Sequence, residues 1–253
     1  YNVLMNPSGI LAGNGFHGDM PGLTATTMQM SDADFLAGKD IFKDVGGAGS
    51  ILVNGDVFIR NGGYLAILSR NVNVLSGSKI IADTGKVILA GGQEIRVLNL
   101  DDAGDVSVAV SKGIDGVSIN NAGLIDVGNG KVVMTAKSLS VVLDNIVNNT
   151  GVISAVNMVD DNGAVILRAD NGSVENSGEV RAGSIAVTAN QGVVTNTGLL
   201  TAMDSVAVNA KDVVNSNLIL GTNVNITATQ DIANTGSIST NFGTIVDFAG
   251  NLS

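Results

Sequence analysis

Apolar and polar residues alternate with period two over short runs, and Gly, Asn or Asp interrupts the alternation every few residues. Such alternation puts every second side chain on the same face of a strand. In 206–210, Val206, Val208 and Ala210 share an inward side while Ala207 and Asn209 face out. Equivalent runs occupy 132–136, 165–169, 185–189 and 224–228. The last copy, 245–249, places Asp247 at an inward position and so predicts a register change near the end. A second phrase precedes each run from 119 onward: a β-branched residue, Asn two positions on, Gly two further on, then an aliphatic residue two beyond that. Its Asn positions are Asn121, Asn149, Asn176, Asn196, Asn215 and Asn234, separated by 28, 27, 20, 19 and 19 residues.

A repeat of this length cannot bury its apolar face alone. Each unit holds three short strands and three corners. Stacking units at a strand spacing of roughly 4.8 Å closes a continuous aliphatic interior. The predicted fold is all-β, a right-handed parallel β-helix. The interior selects Val, Ile, Leu and Ala, which stack on copies of themselves, whereas aromatic rings do not fit coil after coil. A propeller or a sandwich asks for more aromatics and a longer or irregular period. The recurring Asn carries an acceptor and two donors, so a column of them bonds from coil to coil. Each such bond contributes about 0.5–1.5 kcal/mol net. Gly two residues later is expected to supply a positive φ at the corner, with Asn217 as its substitute in one unit.

Upstream, 51–60, 64–68, 72–75, 80–82 and 87–90 read as further coil strands. The 46 residues from Gly77 to Gly123 exceed two of the later coils. The surplus, two alternating runs about Asp101-Asp102-Ala103-Gly104, reads as an extra-helical β-hairpin at about 94–111. The whole chain, 1–253, is thus expected to be a single β-helix domain, irregular over 1–118 and built of regular Asn-x-Gly coils over 119–253.

Composition agrees and narrows the function. Of 253 residues 33 are Gly, and there are two Tyr, six Phe and no Trp. A hydrophobic content of 45% is too high for disorder. The net charge of −10 makes a nucleic-acid partner a poor fit. The absence of Cys excludes a disulfide scaffold or a thiolate metal site. No apolar run approaches the 18 residues of a membrane-spanning helix. The chain starts at Tyr1 rather than Met, and we read it as an excerpt of a longer polypeptide.

The first segment carries a resemblance. Asn6-Pro7-Ser8-Gly9 has a residue suited to a type I turn at all four positions, and Ile10 follows. Leu23-Thr24-Ala25-Thr26-Thr27 and then Asp34-Phe35-Leu36-Ala37-Gly38 come next. This order resembles the secretion domain of two-partner secretion exoproteins, the filamentous haemagglutinin and high-molecular-weight adhesin family. That family shows Asn-Pro-Asn-Gly-Ile, then Gly-Leu-x-Ala-Ser-Thr, then an acidic residue with Phe-Leu-x-Gly. Ser8 stands here in place of the second Asn, and Thr26 in place of Ser. The resemblance implies a non-enzymatic protein, with 1–118 as the secretion-domain-like part. Asn6, Pro7, Ser8, Gly9 and Ile10 would be recognised by the periplasmic domains of an outer-membrane transporter. It implies passage through the periplasm to the outside or the cell surface, where a host-cell or glycan receptor is a further expected partner.

Candidate chemistry is sparse. His17 is the sole histidine and sits among glycines, where a solvated loop explains it. Asp160-Asp161 imitates a glycoside-hydrolase pair, but adjacent strand residues point to opposite faces and Asn162-Gly163 signals a turn. Asp101–Asp105 lacks the ligand spacing of a calcium loop, and Gly46-Gly47-Ala48-Gly49 lacks the Lys of a phosphate loop. Sequons at Asn148, Asn171, Asn225 and Asn251 are near chance in an Asn-rich chain. Thr135, Arg168, Thr188, Asn209 and Thr227 share an outward position without forming a regular Thr ladder. No catalytic residue, metal site or cofactor is therefore predicted. The alternatives weighed are a β-helix polysaccharide lyase or hydrolase and a glycan-binding solenoid.

Overall fold

The computed structural model describes residues 2–13, 19–46, 49–98, 106–142, 144–156, 163–248 and 250–252. Among them, twenty strands join in one hydrogen-bonded sheet and three form a second. Pairing within the large sheet is parallel, and each segment pairs with its equivalent one coil later. The chain is thus a parallel β-helix with three faces. Asn71–Val74, Ser118–Asn121, Asn145–Asn149 and Ser173–Asn176 lie on the first. Lys79–Ile81, Leu124–Asp126 and Val152–Ala155 lie on the second. Lys86–Gly91, Lys131–Lys137 and Ala164–Asp170 lie on the third. In the later coils the corners tighten until Glu179–Asn196 crosses all three faces as one strand. Its pairing breaks only between Ala182 and Ser184 and between Ala189 and Val193.

Period-two alternation sends one aliphatic column inward from each face. On the second face Ile80, Ile125, Ile153, Val180 and Leu200 stack, all fully buried. Each such side chain contributes about 1.5–3 kcal/mol relative to exposure. The register change expected near the end of the chain is present, and it alters the parity of the last run. Between Gly221 and Asn223 the register slips, because Thr240 and then Gly243 are the next paired residues opposite. The one extra residue moves the counterpart of Val224 from Gly243 to Thr244, whereas Ile245 would need two. Val246 therefore packs on the core, and Asp247 takes the register position of outward Thr227.

The corner glycines also differ from expectation. Gly123, Gly151, Gly178, Gly198 and Gly236 are absent from the positive-φ residues, as is Asn217. They are needed for a different reason: adjacent coils bring backbone onto backbone there. A Cβ on Gly151 would strike the carbonyl oxygen of Gly123, and one on Gly178 that of Gly151. Asn217 is accommodated with its side-chain amide turned out to donate to the Thr197 carbonyl at 3.0 Å.

Beside that corner runs a column of amides. Asn121 Nδ2 donates to Asn149 Oδ1 at 2.9 Å, Asn149 to Asn176 at 2.8 Å, and Asn176 to Asn196 at 2.8 Å. Asn196 continues to Asn215 at 2.8 Å and Asn215 to Asn234 at 2.7 Å. Every donor points toward the C-terminal end. Asn121, Asn149, Asn176, Asn196 and Asn215 are buried, so each bond replaces solvation that the site cannot supply.

The second sheet lies outside the solenoid. Glu94–Leu98 pairs antiparallel with Ser107–Lys112, and Ile41–Lys43 pairs on its other edge. The turn expected between the first two, with Asp101, Asp102 and Asp105, falls outside the described residues. Phe42, Ile95 and Val97 pack over Tyr64, Leu68 and Ile88, making a second core on the outer side of the third face. The short Ile41–Lys43 strand was not foreseen from the sequence.

Two substitutions test this packing. Gly178→Ala should destabilise the domain by about 1–3 kcal/mol through overpacking, and Asn176→Ala by a similar amount through orphaned buried amides. Urea unfolding checks both against Met203→Ala, an exposed position expected to change little. Equal midpoints for all three would contradict the stacked-corner account.

Candidate functional site

The Asn6–Gly9 segment closes a tight turn just before the strand Ile10–Ala12. Gly9 N–H donates to the Asn6 carbonyl at 3.1 Å, and Ser8 N–H to Asn6 Oδ1 at 3.1 Å. Pro7 presets the second position, and neither it nor Ser8 has positive φ. Gly9 does, at 122°, a conformation that residues with a side chain rarely adopt. Asn6 N–H donates to the Thr26 carbonyl at 2.9 Å, which ties the turn to the third face. The side chains of Asn6 and Ser8 remain exposed, while Pro7, Gly9 and Ile10 are half-buried.

The two phrases that follow are structural in their details. Gly22 leaves room for the Tyr64 ring of the next coil, which a Cβ would strike. Burial pushes the Tyr64 phenol above its ordinary value. Thr26 Oγ1 donates to the Leu68 carbonyl at 2.8 Å and accepts from Met28 N–H at 2.9 Å. Ser31 caps the short helix Asp32–Leu36, its hydroxyl accepting from Asp34 N–H at 3.1 Å and donating to the Asp34 carboxylate at 2.6 Å. That hydrogen bond, opposed by some desolvation and helped by Lys43, holds Asp34 below the usual carboxylate range. Gly38, at φ 63°, ends the turn. Phe35 and Leu36 are left 70% and 84% exposed.

The turn and the amide column are not brought together. The turn belongs to the first coil, and the register places Ala12, Val53 and Val74 where later coils carry Asn. A second, outward amide ladder was missed in the sequence. Asn120 Nδ2 donates to Asn73 Oδ1 at 2.8 Å, and Asn148 Nδ2 to Asn120 Oδ1 at 2.7 Å. The signal was present, since each of these Asn residues lies one before the inward position. Asn148 and Asn171 thus use their sequon amides internally, Asn171 donating to Ser138 O at 3.1 Å.

Other candidate chemistry has little geometry behind it. His17, Asp160 and Asp161 lie outside the described residues, as do Gly47 and Ala48 of the glycine run. Among the described residues no three His, Cys, Asp or Glu side chains converge as a metal site. A groove between 106–110 and the third face is lined by Val108, Lys131, Ile166 and Arg168. Its Arg168 is held by Asp170 at 2.9 Å.

Comparison with known proteins bears on this arrangement. A family model described as TPS secretion domain matches residues 2–182. No curated protein matches the sequence. Among solved structures the chain is similar to the HMW1 secretion domain from Haemophilus influenzae, at 17% identity and a TM-score of 0.65. That similarity covers 98% of this chain and 79% of that one, and at such identity it speaks for the fold.

The second sheet carries a pH-sensitive anchor. Glu94, the first residue of the Glu94–Leu98 strand, is buried and accepts from Ser111 Oγ at 2.8 Å, with Arg96 at 3.2 Å and Lys112 at 3.5 Å. The Ser111 hydrogen bond first, then Arg96 and Lys112, hold its carboxyl below the ordinary range against the desolvation that opposes them. A depressed pKa contributes stability that is full above the unfolded value and is lost as pH falls through the folded one. Urea midpoints between pH 6 and 3 should therefore fall more steeply for the parent than for Glu94→Gln. Parallel slopes would contradict the anchor.

Proposed function

Because the chain belongs to the family of TPS secretion domains, we propose that it is the recognition and leading part of a large exoprotein sent out through an outer-membrane transporter. The transporter's periplasmic domains bind the Asn6–Ile10 segment, and the protein passes through the periplasm to the outside. The chain acts without catalysis, as an adhesin or haemagglutinin leader whose later coils begin a shaft. We read the coils as right-handed, since parallel crossover connections almost always are. We also read the irregular part, 1–118, as carrying the recognition element and the extra-helical hairpin, and 119–253 as the regular coils. A host-cell or glycan receptor is engaged by the parent protein.

One observation carries this reading. The Asn6–Gly9 turn is over-determined by Pro7, by a positive-φ Gly9 and by two hydrogen bonds to Asn6, yet it presents the Asn6 and Ser8 side chains to solvent. A rigid, exposed polar turn at the first coil does nothing for the core and suits a partner that must find it. The forward-pointing amide column fits the later stage. Each coil, once formed, offers donors to the next, so emerging chain has a template on which to dock.

The test is export. Asn6→Ala in a strain carrying the transporter should lower the exported fraction at least tenfold. Its thermal midpoint should stay near the parent's, because the lost side-chain bond is exposed and contributes at most about 1 kcal/mol. Parental export by this variant would overturn the proposal.

A further inference from the structure

We infer that Gly49, forty residues beyond the turn it serves, is a positioning residue for Asn6–Gly9. The inference rests on the reading of that turn as the recognised element. Gly49 is buried, and a Cβ there would strike the Pro7 carbonyl oxygen and come within 3.0 Å of Gly9 N. The turn is thus seated on the backbone of the next coil. Gly9 faces the same segment, and a Cβ there would stand 3.2 Å from the Ser50 carbonyl oxygen. The floor is itself fixed, because Ser69 Oγ donates to the Gly49 carbonyl at 3.4 Å and Thr27 Oγ1 meets Ser69 Oγ at 2.7 Å. Immediately beyond, Ile10 pairs with Ile51 and begins the first face. The last glycine of Gly46-Gly47-Ala48-Gly49 therefore acts by close approach to the turn, a role unrelated to phosphate. A side chain at 49 pushes the Pro7 peptide outward and turns the exposed Asn6 and Ser8 away from the orientation the first coil gives them, while the coils from Asn121 onward are untouched.

Gly49→Ala, Asn6→Ala and the parent are compared in the full chain, co-expressed with the transporter. Three readouts are taken: exported fraction, amide exchange at Ser8 and Gly9, and thermal midpoint of the purified protein. Gly49→Ala should cut export at least tenfold, to the level of Asn6→Ala. It should speed exchange at Gly9 at least tenfold and lower the midpoint by less than Gly178→Ala does, since the strain falls on the turn of the first coil rather than between interior coils. Parental export by Gly49→Ala while Asn6→Ala is blocked overturns this inference alone. Parental export by Asn6→Ala overturns the reading of the turn itself. A collapse of the midpoint in Gly49→Ala also overturns the inference, since it would assign Gly49 to the fold at large.

Discussion

Where the amide column turns into the second face, backbone passes directly over backbone at the spacing of neighbouring strands, and every residue at that corner from Gly123 to Gly236 except Asn217 is Gly. That steric requirement decides much of the rest. Where Gly178 sits on Gly151 and Gly151 on Gly123, the coils approach closely enough for the flanking residues to stay in register. Once register is fixed, every inward residue meets its own counterpart, and the interior becomes columns of like side chains. A wider corner would leave the aliphatic columns of adjacent coils staggered and their amides out of reach.

The amide column uses the same constraint. Asn at the edge of the first face would be a costly buried polar group in a single coil. Stacked, each Asn from Asn149 to Asn215 both accepts from the coil before and donates to the coil after, and several also donate to a carbonyl of the next coil, as Asn176 does to Leu199 O at 3.3 Å. The group is stable only as part of a series. The first coils avoid the problem with Ala12, Val53 and Val74, and carry instead the features that distinguish the domain: the Asn6–Gly9 turn, the capped Ser31–Gly38 segment and the second sheet over Tyr64 and Leu68.

Much of the coil architecture was legible because two signals reinforce each other. Period-two alternation gives the faces, and the spacing of Asn121 through Asn234 gives the coil length, which the pairing reproduces residue for residue. What stayed hidden depends on contacts across coils. A recurring Gly looks the same whether it supplies a left-handed φ or merely vacates space, and only the stacking of Gly178 on Gly151 tells the two apart. Asp247 announced a register change but not its place, which is an extra residue after Thr240. Three residues, Ile41–Lys43, are too few for alternation to announce a strand, and their place beside Glu94–Leu98 is decided by Phe42 entering the second core. At the turn, the local chemistry of Asn6-Pro7-Ser8-Gly9 was readable, whereas its seat on Gly49 is a contact between distant segments.

The stacking itself can be tested most directly by cross-linking, since the chain has no Cys of its own. Thr188 and Asn209 are register partners on adjacent coils, and Thr227 is the partner of Asn209 one coil further on. Adjacent parallel strands hold Cα atoms at roughly 4.8 Å, inside the range a disulfide spans, and a two-coil separation exceeds it. Cysteines at 188 and 209 should oxidise nearly completely in the folded protein, and cysteines at 188 and 227 should remain reduced. Efficient linkage of 188 to 227, or none between 188 and 209, would contradict the coil register on which the whole account stands.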